Sequence, residues 1–375
     1  MPFTTTATPT GHPRNRGSGH LRGALGQLKD WQLDAHQLNR VSVDADGTMQ
    51  LEAEKAGSTK WFSYAGGCLR RARPQQDRKI PLLNSCIGQS LPSGLTVISY
   101  RPGRRVVLAS NRPQSDIFLK GYRKGRGTLA VTRHETAFKA SGYGAFEVPN
   151  LIDCYRDRDL LVMERQHGST PALDADSAST WSSVGAALRA FQDACDCSAL
   201  NTFTSYDELA VLDELARRFQ LCDLDLPPAW RAGRESLGAL AASLPSSHPG
   251  AAHRDLHDGQ LLVNGHSLSL LDFDLLCRAD TALDAANLLA HMALRDLQRN
   301  PLSNFSGSRA CGRAFLSGLE RRRENGFELR LLFYQATTFY RLALLYSLRP
   351  RWQHLVDSIV QLGRQRIAGA KAYGY

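Results

Sequence analysis

No apolar run in this 375-residue chain approaches the roughly eighteen residues that a membrane-crossing helix needs, and no secretory hydrophobic segment follows the N-terminus. Membrane partners are therefore not expected. The eight cysteines, at 68, 86, 154, 195, 197, 222, 277 and 311, show neither Cys-x-x-Cys pairs nor the Cys/His spacing of a zinc site. They read as scattered reduced thiols, which points to a cytoplasmic location. Lysine is also scarce. Only eight residues are lysine, so the formal net charge of +10 is carried almost wholly by arginine. Those arginines are spread along the chain and not gathered into a stripe with interleaved aromatics, which argues against nucleic acid as a partner.

What remains is the composition of a folded protein, with 42% hydrophobic and 22% charged residues. The length is enough for two lobes, each with a buried core. Residues 1–20 contain no acidic residue and many small and polar ones, and are expected to be a disordered tail. A first lobe is expected over 21–166 and a helical second lobe over 167–375. Leu21–Leu38 allows a short helix. Arg40–Lys55 alternates about an Asp46-Gly47 turn, and Thr59–Tyr64 allows a further strand. No chemistry is legible in this front part, up to about residue 90.

The stretch that organises the chain lies further on. His253-Arg254-Asp255-Leu256-His257-Asp258-Gly259-Gln260 runs into the apolar Leu261–Val263, and Leu268–Leu271 leads into Asp272-Phe273-Asp274. Two apolar runs of this length predict a buried hairpin with Asp255, Gln260 and Asp272 at its strand ends. Carboxylates and an amide oxygen are the hard donors and the base that Mg²⁺-dependent phosphoryl transfer requires.

His-Arg-Asp, a polar side chain five residues after that Asp, and Asp-Phe-Asp seventeen residues after it resemble the catalytic and metal loops of kinase-like phosphotransferases. The closer resemblance is to the aminoglycoside and choline kinase-like family, whose usual loop reads His-Gly-Asp-Leu-His-Pro-Gly-Asn. Here the Gly-Asn step is Gly259-Gln260, which carries the amide oxygen about one bond further out. The resemblance implies that Asp255 accepts or orients the proton of a substrate hydroxyl, and that Gln260 and Asp272 hold Mg²⁺. Asp274 is either a third metal-side carboxylate or a buried acceptor. His257 is a further candidate of the same loop, and His253 reads as a brace.

The resemblance extends to the first lobe. Leu95–Tyr100, Arg105–Ala109 and 116–121 read as strands, joined first by Arg101-Pro102-Gly103-Arg104. In the family this turn covers the nucleotide phosphates, and the third strand presents a lysine to them, here Lys120. No Gly-x-Gly-x-x-Gly is present, so Arg104, with Arg105, is a candidate phosphate contact. Thr128–Ala140 reads as a helix whose Glu135 is expected to pair with Lys120. Strands at 148–152 and 159–164 complete an expected five-stranded antiparallel sheet. Met163, Glu164, Arg165 and Gln166 resemble the hinge segment that contacts the nucleotide base.

From residue 177 the apolar spacing is helical, as in Trp181, Val184, Leu188 and Phe191. Asp207, Glu208, Asp213, Glu214, Asp223 and Asp225 make this stretch acidic. They are either solvated helix faces or the lining of a site for a cationic acceptor such as an amino sugar. Asp284, in the helix that follows the metal motif, reads as a brace for the catalytic loop. The expectation is an α+β, bilobal protein-kinase-like fold with an antiparallel-sheet N-lobe and a mainly helical C-lobe. The resemblance implies Mg²⁺-dependent transfer of phosphate from ATP or GTP to a hydroxyl of a small molecule, amino sugars and sugars among the candidates. The alternative is a pseudokinase that binds a nucleotide or a partner without turnover. The acceptor and the oligomeric state are not legible.

Overall fold

The computed structural model describes residues 19–86, 89, 91–110, 116–142, 144–247, 249–302, 304–320 and 324–373. The expected N-terminal tail lies almost entirely outside them. The first element is helix α1 (Gly19–Leu28), which buries Leu21, Ala24 and Leu28 at the i, i+3, i+7 spacing of an amphipathic helix. It leads into an antiparallel four-stranded meander, β1 (Leu38–Val43), β2 (Met49–Lys55), β3 (Ser58–Ala65) and β4 (Cys68–Ala72). Alternation places Val41, Val43, Met49, Leu51, Ala53 and Phe62 on one buried face.

That buried face packs on the C-terminal half of the chain. Arg218 Nη1 donates to Val43 O at 3.3 Å, Arg217 Nη2 to Ala45 O at 3.2 Å and Cys222 Sγ to Gly47 O at 3.2 Å. The front sheet is thus a third layer laid across the lobes, and its core is continuous with that of the helical lobe.

The N-lobe sheet is five-stranded and antiparallel, as expected, and its strand order is β5-β6-β7-β9-β8. Its strands are β5 (Leu95–Arg101), β6 (Arg105–Ser110), β7 (Ile117–Tyr122), β8 (Leu151–Tyr155) and β9 (Leu160–Glu164). Helix α2 (Gly127–Lys139) packs against it. The start of α2 is fixed by Asp159, whose carboxylate accepts from Gly127 N at 2.6 Å and from Gly125 N at 3.0 Å. The approach is so close that a Cβ on Gly127 would lie 2.4 Å from the Asp159 Cα, and only glycine fits.

The C-lobe contains α3 (Ala178–Ala194), the short strand β10 (Thr202–Phe203), α4 (Ser205–Leu221) and α5 (Trp230–Ser243). Next come β11 (Pro249–Ala252), the hairpin β12 (Leu261–Asn264) and β13 (Ser267–Leu270), and β14 (Cys277–Asp280). Helices α6 (Ala282–Arg299), α7 (Ser306–Leu319), α8 (Phe327–Ser347) and α9 (Val356–Lys371) complete it. The most deeply buried is α8, with Phe333, Tyr334, Phe339 and Tyr340 in the core. No helix among the described residues is long and apolar enough to cross a membrane.

Candidate active site

The loop from His253 to Gln260 is shaped by hydrogen bonds to its own backbone. Buried Asp284, in the first turn of α6, accepts from His253 N at 2.7 Å and from Arg254 N at 2.8 Å. Asn287, one helical turn on, donates to Arg254 O at 2.9 Å. These contacts hold Arg254 at φ 67°, a left-handed conformation that a non-glycine residue keeps only under such constraint. His253 is fully buried. Its Nε2 donates to Leu271 O at 2.8 Å, which leaves Nδ1 to accept from Asp255 N at 3.3 Å. One imidazole thus ties the 253–260 loop to the residue before Asp272, and its ring packs edge-on against Phe273.

The hairpin register, Leu261 opposite Leu270, and the bond from Leu271 N to Gln260 O place Gln260 beside the start of the Asp272 motif. The amide nitrogen of Gln260 lies 3.4 Å from His257 Nε2, and the His257 ring stacks on His291 with centroids 5.0 Å apart. Asp272 itself has φ 64°, which turns the chain sharply enough to bring both Asp272 and Asp274 into the cleft.

Lys120, on β7, projects between them. Its Nζ donates to Asp272 Oδ1 at 2.8 Å and to Asp274 Oδ1 at 2.6 Å, and Tyr122 OH donates to the same Asp274 oxygen at 2.6 Å. Arg105, at the start of β6, forms ion pairs with both carboxylates. Burial alone would raise the Asp272 carboxyl, but Lys120 and Arg105 outweigh it and hold the group well below the usual carboxylate range. Burial works against the Lys120 charge, and the Asp274 and Asp272 carboxylates outweigh it, keeping the ammonium protonated.

The expected Lys120–Glu135 pair is not made. Glu135 points to the exposed side of α2 and pairs with Arg156 at 3.1 Å. The inward positions of that helix are Ala130, Val131, His134 and Ala137, so the residue facing the sheet is His134, whose Nε2 donates to Pro149 O at 2.7 Å. Arg133 reaches round to the Asp274 carbonyl.

Arg101-Pro102-Gly103-Arg104 closes a turn in which Arg104 N donates to Arg101 O at 2.9 Å, with Gly103 at φ 67°. The Gly103 N–H is taken by Asp77 Oδ2 at 2.6 Å, so the turn does not present that amide to the cleft. The Arg104 side chain pairs with Asp44, in the turn between β1 and β2. In the hinge segment, Glu164 N donates to Asn150 O at 2.9 Å and Arg165 N to Asp116 O at 3.0 Å. Gln166 accepts from Ser269 Oγ at 3.2 Å, and Met163 pairs with Phe118 and Leu151 within the sheet.

Asp255 differs from the other two aspartates in having no ion-pair partner among the described residues. It stands where two cavities meet. One, of about 1080 Å³, is lined by Asp255, Asp272, Asp274, Arg105 and the turn at Arg101–Arg104. The other, of about 590 Å³, lies between the front sheet and helices α4, α6 and α8. The front sheet lines both, a role its sequence did not reveal. The acidic stretch lines neither at Asp213, Glu214 or Asp223. Asp213 pairs with Arg234, Glu214 with Arg217 and Arg218, and Asp223 with His20.

Residues 104–324, more than half of the chain, match the model of the phosphotransferase enzyme family (APH). The chain belongs to that family. Its kinase-like fold is shared with solved structures of low sequence identity. An amicoumacin kinase, hAmiN, in complex with AMP-PNP, Ca²⁺ and Ami superposes with a TM-score of 0.53 at 13% identity, covering 74% of this chain and 89% of that one. The choline kinase LicA from Streptococcus pneumoniae gives 0.50 at 14% identity, covering 74% and 95%. A choline/ethanolamine kinase family protein from Mesorhizobium loti gives 0.49 at 16%, covering 80% and 92%. No curated protein matches the chain by sequence. In this phosphotransferase the family match begins at Arg104, so α1 and the front sheet precede it.

Proposed function

We propose that this phosphotransferase moves the γ-phosphate of ATP or GTP to a hydroxyl of a small molecule, with Mg²⁺. The observation that supports it best is the convergence of Lys120, Asp272 and Asp274 in one buried cluster, with an unpaired Asp255 at the edge of the same cleft. The donor set fits a magnesium ion. Two carboxylates and the Gln260 amide are hard oxygen donors, and among the described residues no group of three or more His, Cys, Asp or Glu forms a ready-made cage. That is the donor set of an ion that shares its shell with nucleotide phosphates and water. When bound, Mg²⁺ would neutralise charge on the phosphate oxygens.

The side chains have separable roles. Lys120 and Arg105 aim cationic hydrogen-bond donors at the place where phosphate oxygens would lie. Asp274 positions Lys120, the task expected of Glu135. Asp255 accepts or orients the hydroxyl proton of the acceptor. Arg104 lies beyond Arg105 on the phosphate turn, and residues 163–166 are the proposed base-contacting hinge. There the amides of Glu164 and Arg165 are already used within the sheet. Catalysis would be positioning and charge stabilisation, as phosphoryl transfer requires.

The second reading, a nucleotide-binding module without turnover, is favoured by the Gln260 side chain, which turns to His257. Transfer of labelled γ-phosphate from ATP and GTP to a panel of hydroxyl compounds separates the two. Transfer by the wild type that needs Mg²⁺ and falls about 100-fold or more in Asp255→Asn supports catalysis. A wild type that binds nucleotide but transfers nothing, to acceptors or to water, supports the module.

A further inference from the structure

The cavity between the front sheet and the C-lobe adjoins the first at Asp255, Arg101 and Arg104, which line both. Its lining contains neither Asp272 nor Asp274, both of which line the first cavity. A nucleotide gripped by those groups would leave this space to the second substrate. Its floor is apolar where Leu215 and Phe219 of α4 meet Leu342 and Leu345 of α8. Its volume of about 590 Å³ suits a molecule the size of a mono- or disaccharide.

The charge on its walls is predominantly positive. Eight arginines line the cavity, against two carboxylates, Glu52 and Asp255. Four of the arginines are neutralised by carboxylates that are not part of the lining, as Arg341 is by Glu208 at 3.0 Å and Arg218 by Glu214 at 2.8 Å. The other four, Arg40, Arg101, Arg254 and Arg349, form no ion pair among the described residues, and Arg254 feels Glu208 and Asp207 only at longer range. They come from four separate parts of the fold: β1, the end of β5, the loop before β12 and the segment that follows α8. The guanidinium carbon of Arg254 lies over the Phe203 ring, 3.5 Å from its centre, and its buried Nε has no hydrogen-bond partner among the described residues. The Nε of Arg101 is likewise buried and unbonded. Burial, then the charges of Arg105 and Arg40, outweigh the opposing charges of Asp272 and Asp255 and push the Arg101 guanidinium down to about 10. Burial lowers Arg349 too, and Arg40 and Arg295 lower it further. Like charges held together in a half-buried space are unfavourable unless an anion completes them.

Resting on the phosphotransferase reading above, we propose that the acceptor is anionic: a hydroxyl compound that already carries a phosphate or carboxylate, seated on Arg40, Arg101, Arg254 and Arg349 with its hydroxyl toward Asp255. A cationic amino sugar or amino alcohol would meet the wrong sign of charge in this cavity. Of the acidic side chains that might have received it, Asp213 pairs with Arg234, Glu214 with Arg217 and Arg218, Glu208 with Arg341 and Asp223 with His20.

The test uses the full chain saturated with AMP-PNP and Mg²⁺, titrated calorimetrically with inorganic phosphate at low ionic strength, beside an Arg40→Gln/Arg349→Gln variant. Saturable phosphate binding that weakens about tenfold or more in the variant is expected, since charge-assisted hydrogen bonds are lost. Thermal melting shows whether the variant is folded, and Arg40→Lys/Arg349→Lys keeps the charge and is expected to recover most of the affinity. Absence of saturable binding, or equal binding by the variant, would overturn the proposal. Turnover assays with sugar phosphates and sugar acids then tell the two anion sources apart, and faster turnover of kanamycin or choline than of either would also overturn it. A loss of AMP-PNP affinity in the arginine variants would assign the arginines to the nucleotide and refute the acceptor site. Failure of the wild type to bind AMP-PNP is read separately, in the preceding titration. It would remove the phosphotransferase reading and the acceptor site with it.

Discussion

Lys120 donates to Asp274 at 2.6 Å, while Glu135, the residue whose place in the sequence suits a lysine partner, pairs with Arg156 on the other side of α2. The buried cation therefore takes its orientation from the second carboxylate of the Asp-Phe-Asp motif. Asp274→Asn is expected to lower phosphoryl transfer about 10- to 100-fold by releasing Lys120 from its position. Glu135→Ala, which removes an exposed ion pair, is expected to change it less than about twofold. Steady-state kinetics of the two variants side by side checks the assignment.

The brace at Asp284 gives a stability prediction. Asp284→Ala would leave the buried N–H groups of His253 and Arg254 without an acceptor, at a cost of about 2–4 kcal/mol in chemical denaturation. Turnover should fall with it even well below the denaturation midpoint, because Arg254 would lose the constraint on its positive φ. Asp284→Asn, which keeps one acceptor oxygen, should lie between alanine and the wild type in both measurements.

Gln260 tests the metal assignment. Gln260→Ala is expected to raise the Mg²⁺ concentration for half-maximal rate about tenfold. His257→Ala, which removes the ring beside the Gln260 amide, should shift it in the same direction by less. An unchanged Mg²⁺ response in Gln260→Ala would take this residue out of the metal site.

Alkaline pH probes the core beneath the loop. Burial pushes the Cys277 thiol on β14 up to about 12, so it must lose its proton more readily on unfolding than in the native protein. Its contribution to stability is complete below about pH 8.5, the ordinary thiol pKa, and declines as pH rises toward 12. Alkylation at pH 8, mapped by mass spectrometry, should modify the exposed Cys68 and spare Cys277 and Cys195 until the protein is denatured.

Much of the fold was legible because local pattern and tertiary structure agree. Four of the N-lobe strands, α2 and the hairpin appear close to where alternation and turn residues put them, while the strand expected at 148–152 lies at Leu151–Tyr155. The brace roles of His253 and Asp284 also followed from position in the motif, and the contacts agree with them. Glu135 was assigned by its distance from Lys120 along the chain, which says nothing of helical phase. The buried stripe Ala130, Val131, His134 and Ala137 carries that phase and turns residue 135 outward. The front sheet is a different case. Its strands were visible in part, but its place over the cleft depends on contacts such as Arg218 to Val43 O, about 175 residues away in sequence. No local pattern records such a contact. The sign of charge in the second cavity was hidden for the same reason, since Arg40, Arg101, Arg254 and Arg349 meet only after folding.

Calorimetric titration of ATP and GTP with and without Mg²⁺, for the wild type and Asp272→Ala, bears most directly on the central reading. The expected result is nucleotide binding that strengthens with Mg²⁺ in the wild type and loses that dependence in Asp272→Ala. Binding indifferent to Mg²⁺ in both proteins, or no nucleotide binding at all, would contradict it.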